Sequence, residues 1–187
     1  MVRDPARQDQ ALTHIPEEFD ESFQPVIGAP VTLRPLRAED LDIETDFVQG
    51  LSAETRASRL LGGAIRLTRE YLERLTRVDY AKDMALAATV MLEGRETLIG
   101  VARYALETDG ESGEFALVIA DAWQGRGIGR KMLEKLAAVA KRRGLLRLYG
   151  DTLSTNRPML ELAKSLGFAL ERHPEDSRVT RVTPALR

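Results

Sequence analysis

Mixed α and β structure (α/β of the α+β mixed kind), built as one domain, is the architecture this sequence points to. Three features point there. Residues 84–120 hold three β-patterned segments separated only by short turns. A glycine-dense loop then opens directly into a long amphipathic stretch. From there strand-like and helix-like segments alternate toward the C-terminus. At 187 residues the chain can bury a substantial core without disulfides or a structural metal.

Taken in order, residues 1–29 read as an arm, poorly ordered or extended: polar, carrying Pro5, Pro16 and Pro25, and without a sustained period. The domain proper is then 30–187. VTLRPL begins it as a short strand with Val31 and Leu33 on one face. Residues 37–63 read as two helices broken near Gly50, with Leu41, Ile43, Phe47 and Leu51 at approximate helical spacing. Ser52 is a candidate N-cap for the second, and Thr68 for a third helix in LTREYLERLTRVD. MALAATVML and TLIGVARYAL flank the turn EGRE, and EFALVIA follows TDGESG, which gives an antiparallel meander. EFALVIA is apolar at nearly every position after Glu114 and reads as a central strand covered on both faces. In the next helix Ile128, Met132, Leu136, Val139 and Ala140 form one stripe, and Gly144 ends it. LLRLYGDTL is a strand, NRPMLELAKSLG a helix, FALERH a strand and RVTRVT a weaker strand pattern.

Composition removes several function classes. There is no cysteine, hence no disulfide framework, cysteine–zinc site or cysteine nucleophile. His14 and His173 have no partner at metal-ligand spacing, so no metal is expected. A net charge of −2 gives no basic balance for nucleic acid. No apolar run approaches the roughly 20 residues that span a membrane, and MVRDPARQDQ has no signal-peptide core. The expected location is cytoplasmic, with neither membrane nor nucleic acid as partner. A homodimer is one assembly the sequence allows.

The chemistry lies in EFALVIADAWQGRGIGRKMLEKL. A strand runs into a short loop that opens a helix, and a helix N-terminus offers unpaired N–H groups and positive dipole to an anion. Gly125, Gly127 and Gly129 leave those amides uncovered, and Arg126, Arg130 and Lys131 add charge beside them. A P-loop would need GxxxxGK with Ser or Thr, which is missing. A Rossmann turn would need GxGxxG, where Arg130 stands in place of the last glycine.

Gln124-Gly125-Arg126-Gly127-Ile128-Gly129 resembles the (Gln/Arg)-x-x-Gly-x-(Gly/Ala) signature of the GNAT N-acetyltransferases, and the similarity runs from about Val31 to Leu170. The resemblance implies a mixed, mostly antiparallel sheet flanked by helices, with acetyl-CoA held as cosubstrate in a splay between the fourth and fifth strands. Its pyrophosphate would rest on the amides of Gly125, Arg126, Gly127, Ile128, Gly129 and Arg130, beside Gln124. The pantetheine would run along Leu117, Val118 and Ile119, and Asn156, leading NRPML, would reach the cofactor. Asn156 before Arg157 and Pro158 also suits a helix cap. The phrases DGESGEFALVIADAWQGRGIG, GVARY and NRPML are most like those of bacterial protein-lysine acetyltransferases that modify acetyl-CoA synthetase.

In those enzymes the base looks to come from the strand that Glu114 begins, so Glu114 is the catalytic candidate, acting on a primary amine. The Tyr that many GNAT enzymes use as acid falls on Ala163, leaving Tyr104 and Tyr149 as alternatives. Trp123 is expected to pack the loop against the sheet. Three functions stay open at this point: acetylation of a protein lysine, acetylation of a small-molecule amine or protein N-terminus, and non-catalytic acyl-CoA binding.

Overall fold

The computed structural model describes residues 20–63 and 67–186. Its strands are β1 (Glu21–Phe23), β2 (Val31–Pro35), β3 (Met84–Leu92), β4 (Arg95–Leu106), β5 (Ser112–Ile119), β6 (Arg147–Leu153), β7 (Ala169–Arg172) and β8 (Val179–Thr183). Its helices are α1 (Leu41–Gly50), α2 (Ala53–Arg59), α3 (Arg69–Thr76), α4 (Ile128–Arg142) and α5 (Arg157–Ser165). The strands form one eight-stranded sheet in the order β1-β2-β3-β4-β5-β6-β8-β7. Neighbours are antiparallel except β5 and β6. This is the mixed, mostly antiparallel sheet that the family resemblance implies.

Helices cover both faces, and each face has its own core. On one, Ile128, Met132, Leu136, Val139 and Ala140 of α4 pack on Leu86, Tyr104, Phe115 and Leu148. On the other, Phe47 and Val48 of α1 and Leu72 of α3 pack on Ala85, Ala87, Val101 and Val118. Because β3 is covered twice, Met84 through Val90 are all buried, which explains their unbroken apolar run.

Two expectations need correction. Order begins before Val31: Glu21–Phe23 pair with Val31–Leu33 as an edge strand. The carboxylate of Glu21 holds Lys131 at 2.7 Å and Lys135 at 2.9 Å on α4. So short a strand, with one aromatic residue, carries no periodicity to read. The rest of the predicted arm, residues 1–19, lies outside the described residues, as does the C-terminal Arg187. The second correction concerns β5. It is covered on both faces only toward its end, since Glu114 and Ala116 are exposed.

Candidate active site

The sheet opens where β5 and β6 part. They are paired only at Ser112↔Arg147, Gly113↔Leu148 and Glu114↔Tyr149. From Gly150 onward β6 is taken up by β8. The ring of Phe115 lies against Gly150, so close that an added Cβ there would stand 2.7 Å from it. Phe168 meets the same ring edge-on, with centroids 6.4 Å apart. Beyond this wedge lies a cleft of about 830 Å³, walled by β5, β6, α2 and the starts of α4 and α5. An N-terminal extra strand makes the parting pair the fifth and sixth strands, one later than the sequence count.

Each helix that borders the cleft begins differently. Ser52 caps α2 by accepting from the Thr55 amide at 3.1 Å, and Asn156 caps α5 by accepting from Met159 at 3.3 Å. The long α4 has no such help: its N-cap is Gly127, without a side-chain bond, and its first turn contains no acid. The amides of Gly125, Arg126 and Gly127 find no acceptor among the described residues. Gly125 at φ +71 and Gly127 at φ +84 adopt a left-handed backbone that a side chain would strain. Gly129 lies under Leu117 and Leu162, each 3.3 Å from an added Cβ, so no side chain fits there without displacement. An uncapped, positively polarised helix start facing a cleft suits a diphosphate.

The wall of β5 suits an extended chain. The Ala120 amide donates to Ile99 on β4 at 2.8 Å. By alternation the main-chain groups of Leu117 and Ile119 face the cleft instead. One of these groups is already used: Gln124 Nε2 donates to the Ile119 carbonyl at 3.0 Å.

Just before the cleft on β5 stands Glu114, with no hydrogen bond to its carboxylate from any described residue. Partial desolvation of this otherwise exposed side chain, then the negative charges of Asp151 and Glu107, push its pKa above the ordinary carboxylate value, and Arg181 and His173 pull against them. Asp151 is held by a two-point contact with Arg181, at 2.9 and 2.8 Å, and has His173 at 3.4 Å. Tyr149 donates to Glu107 at 2.8 Å under the Arg181 guanidinium. Burial and that bond push its hydroxyl up to about 12.

Of the residues singled out from sequence, Leu117, Val118, Ile119, Gln124, Gly125, Gly127, Gly129, Arg130 and Asn156 line the cleft. Three do not. The Ile128 side chain is in the core at 1% exposure, so only its amide is available to a ligand. Arg126 turns away, stacked 4.7 Å from the Trp123 ring, and Glu114 sits just before Phe115, the first residue of β5 to line the cleft. The Val118 side chain is buried against the opposite helices. Arg130 and Lys131 are partly spent on Ser165 and Glu21. Ala163 and Tyr104 are sealed in the core, so neither meets the cleft. Sequence reading missed the α2 wall of Thr55, Ser58 and Arg59. It also missed Asp121, which ties that wall to the loop by accepting from Ser52 N, Ser52 Oγ and Thr55 Oγ1 at 2.9, 2.7 and 2.7 Å. Three hydrogen bonds lower its pKa to about 2. Serine and threonine next to a cap carry no signal of so distant a partner.

Known proteins share this architecture. Residues 57–168 match the model of the acetyltransferase (GNAT) family. An acetyltransferase of Pseudomonas aeruginosa is 37% identical over 150 residues, 80% of this chain and 81% of that protein. The GNAT domain of S. lividans PAT superposes with a TM-score of 0.79 at 26% identity, over 90% of this chain and 97% of that one. A ribosomal L7/L12 alpha-N-protein acetyltransferase in complex with coenzyme A shares the fold at TM-score 0.66 and 16% identity, over 87% of this chain and 97% of that one. An uncapped helix start beside parted strands, in a chain with these relatives, identifies a member of the GNAT family: an acetyl-CoA-dependent N-acyltransferase.

Proposed function

We propose that this enzyme acetylates the ε-amine of a protein lysine, with Glu114 as general base. The observation that carries the reading is the unpartnered Glu114 carboxylate, set among Asp151 and Glu107 where β5 and β6 part. A lysine ammonium has a pKa near 10.4, so releasing the neutral amine at pH 7.4 costs about 4 kcal/mol. A carboxylate with a raised pKa is a better proton acceptor for that step, and the acidic surroundings attract the cation beforehand.

The amides of Gly125 through Arg130 hold the diphosphate of acetyl-CoA, Leu117 and the Ile119 amide take its pantetheine arm, and Asn156 borders it. The Ile119 carbonyl stays with Gln124. Bound acetyl-CoA supplies the acetyl group as a thioester, so a C–N bond forms as the C–S bond breaks. Glu114 removes one proton from the ammonium before attack. The second proton on nitrogen goes to the departing sulfur, directly or through water, so no tyrosine at position 163 is required. The cytoplasmic acceptor suggested by the shared phrases is acetyl-CoA synthetase.

Incubating lysate proteins and metabolites with labelled acetyl-CoA and the enzyme, followed by mass spectrometry, tests the acceptor. Label on protein lysines is expected; label confined to small amines or N-termini contradicts the lysine reading. Glu114→Gln is expected to bind acetyl-CoA normally while losing at least tenfold in turnover at neutral pH, on the order of a general base's contribution. Full turnover in that variant removes Glu114 from the mechanism.

A further inference from the structure

Three buried side-chain atoms among the described residues lack any hydrogen-bond partner: both carboxylate oxygens of Glu44 and Nε of Arg103. They belong to one place. Glu44, on α1, is fully buried, and the cations it senses are Arg59 and Arg103. Arg59 ends α2 and lines the cleft. Arg103 lies on β4 opposite Ala116, two pairs along from Ala105↔Glu114. Alternation puts Arg103, Ala116 and Glu114 on the same face of the sheet. Arg103 and Glu114 are then diagonal neighbours, about 7–8 Å apart.

Buried polar groups are normally satisfied, and a carboxylate without donors is among the costlier exceptions. A purely structural Glu44 would take the free Nε of Arg103, but that guanidinium bonds the Leu75 carbonyl at 2.9 Å instead. Acceptor lone pairs on Glu44 and a donor on Arg103 are together complementary to a group offering N–H and C=O. An α-amino-acid unit offers both. Lysine places that unit a four-carbon stem away from its amine, a span comparable with the diagonal to Glu114.

We propose that Glu44 and Arg103 bind the α-amino-acid unit of a lysine acceptor whose amine lies at Glu114. Glu44 accepts from its main-chain nitrogen, and Arg103 donates to its carbonyl or carboxylate oxygen. Arg59, whose charge acts on Glu44, closes α2, a helix that contributes no buried residue, so the proposal requires that end of α2 to open for the acceptor. The inference rests on the reading of Glu114 given above.

The test compares kcat/KM for Nα-acetyl-lysine amide, free lysine and n-pentylamine, which has the amine and no amino-acid unit. The wild type is expected to prefer a lysine acceptor over n-pentylamine by about tenfold or more. Glu44→Gln and the apolar Glu44→Met, either of which suits a sealed site, are expected to bring that ratio near one while the KM for acetyl-CoA holds. Preference for the amide form assigns a lysine within a chain, and preference for free lysine assigns the amino acid itself. Equal use of all three by the wild type, or an unchanged ratio in both variants, overturns the proposal. Glu114→Gln run alongside separates the two ideas: full turnover there removes the Glu114 reading, and this inference falls with it.

Discussion

Asp151 and Glu107 bear on Glu114 through charge alone, so with Glu114 as the proposed base the pH dependence of the enzyme reads out their placement. A general base works only when ionised. The rate should therefore fall as pH drops through the Glu114 pKa, in a limb lying above the ordinary glutamate value of about 4.3. Asp151→Asn removes a negative neighbour and frees Arg181 from its two-point contact. Glu114 then ionises more easily, and the limb of the kcat/KM profile is expected to move to lower pH. A limb that stays in place would show that Asp151 does not act on the base. Little of this was legible beforehand. Glu114 was a candidate through its place on the central strand and the family resemblance, whereas Asp151 and Arg181 meet only through the pairing of β6 with β8, and Glu107 reaches Tyr149 from the loop after β4. Glu44 was invisible for another reason: a lone acid in an amphipathic helix reads as solvated.

The start of α4 and the parting of β5 from β6 each depend on a missing side chain. Gly127→Glu places a carboxylate and a strained φ at the open amides, and calorimetry is expected to show acetyl-CoA binding abolished; retained affinity would contradict the assignment of this loop. At Gly150 the Phe115 ring fills the space of a Cβ. Gly150→Ala should cost about 1–3 kcal/mol of stability through overpacking, measurable by denaturant unfolding. A neutral outcome would mean that the ring is not a wedge. The first of these elements was written plainly in the sequence, because spaced glycines followed by a 3.6-residue apolar stripe are local features. The second was not. GDTL looks like any strand segment, and only the register reveals which glycine sits under an aromatic ring.

Across the whole molecule, the order β6-β8-β7 explains why a cleft exists. The last strand enters between β6 and β7, so β6 leaves β5 after Tyr149 and pairs with Val179–Val182. The RVTRVT pattern was recognisable as a strand, but strand insertion is a long-range choice that no local period encodes. Main-chain amides left open on one side of that cleft and a carboxylate beside its Phe115 edge are, on the proposed reading, the sites of phosphate recognition and proton transfer. A crystal structure with bound coenzyme A tests this arrangement most directly. The diphosphate is expected within hydrogen-bond distance of the amides between Gly125 and Arg130, with the thiol end toward Glu114. A diphosphate seated anywhere else, with those amides left to solvent, would contradict the account.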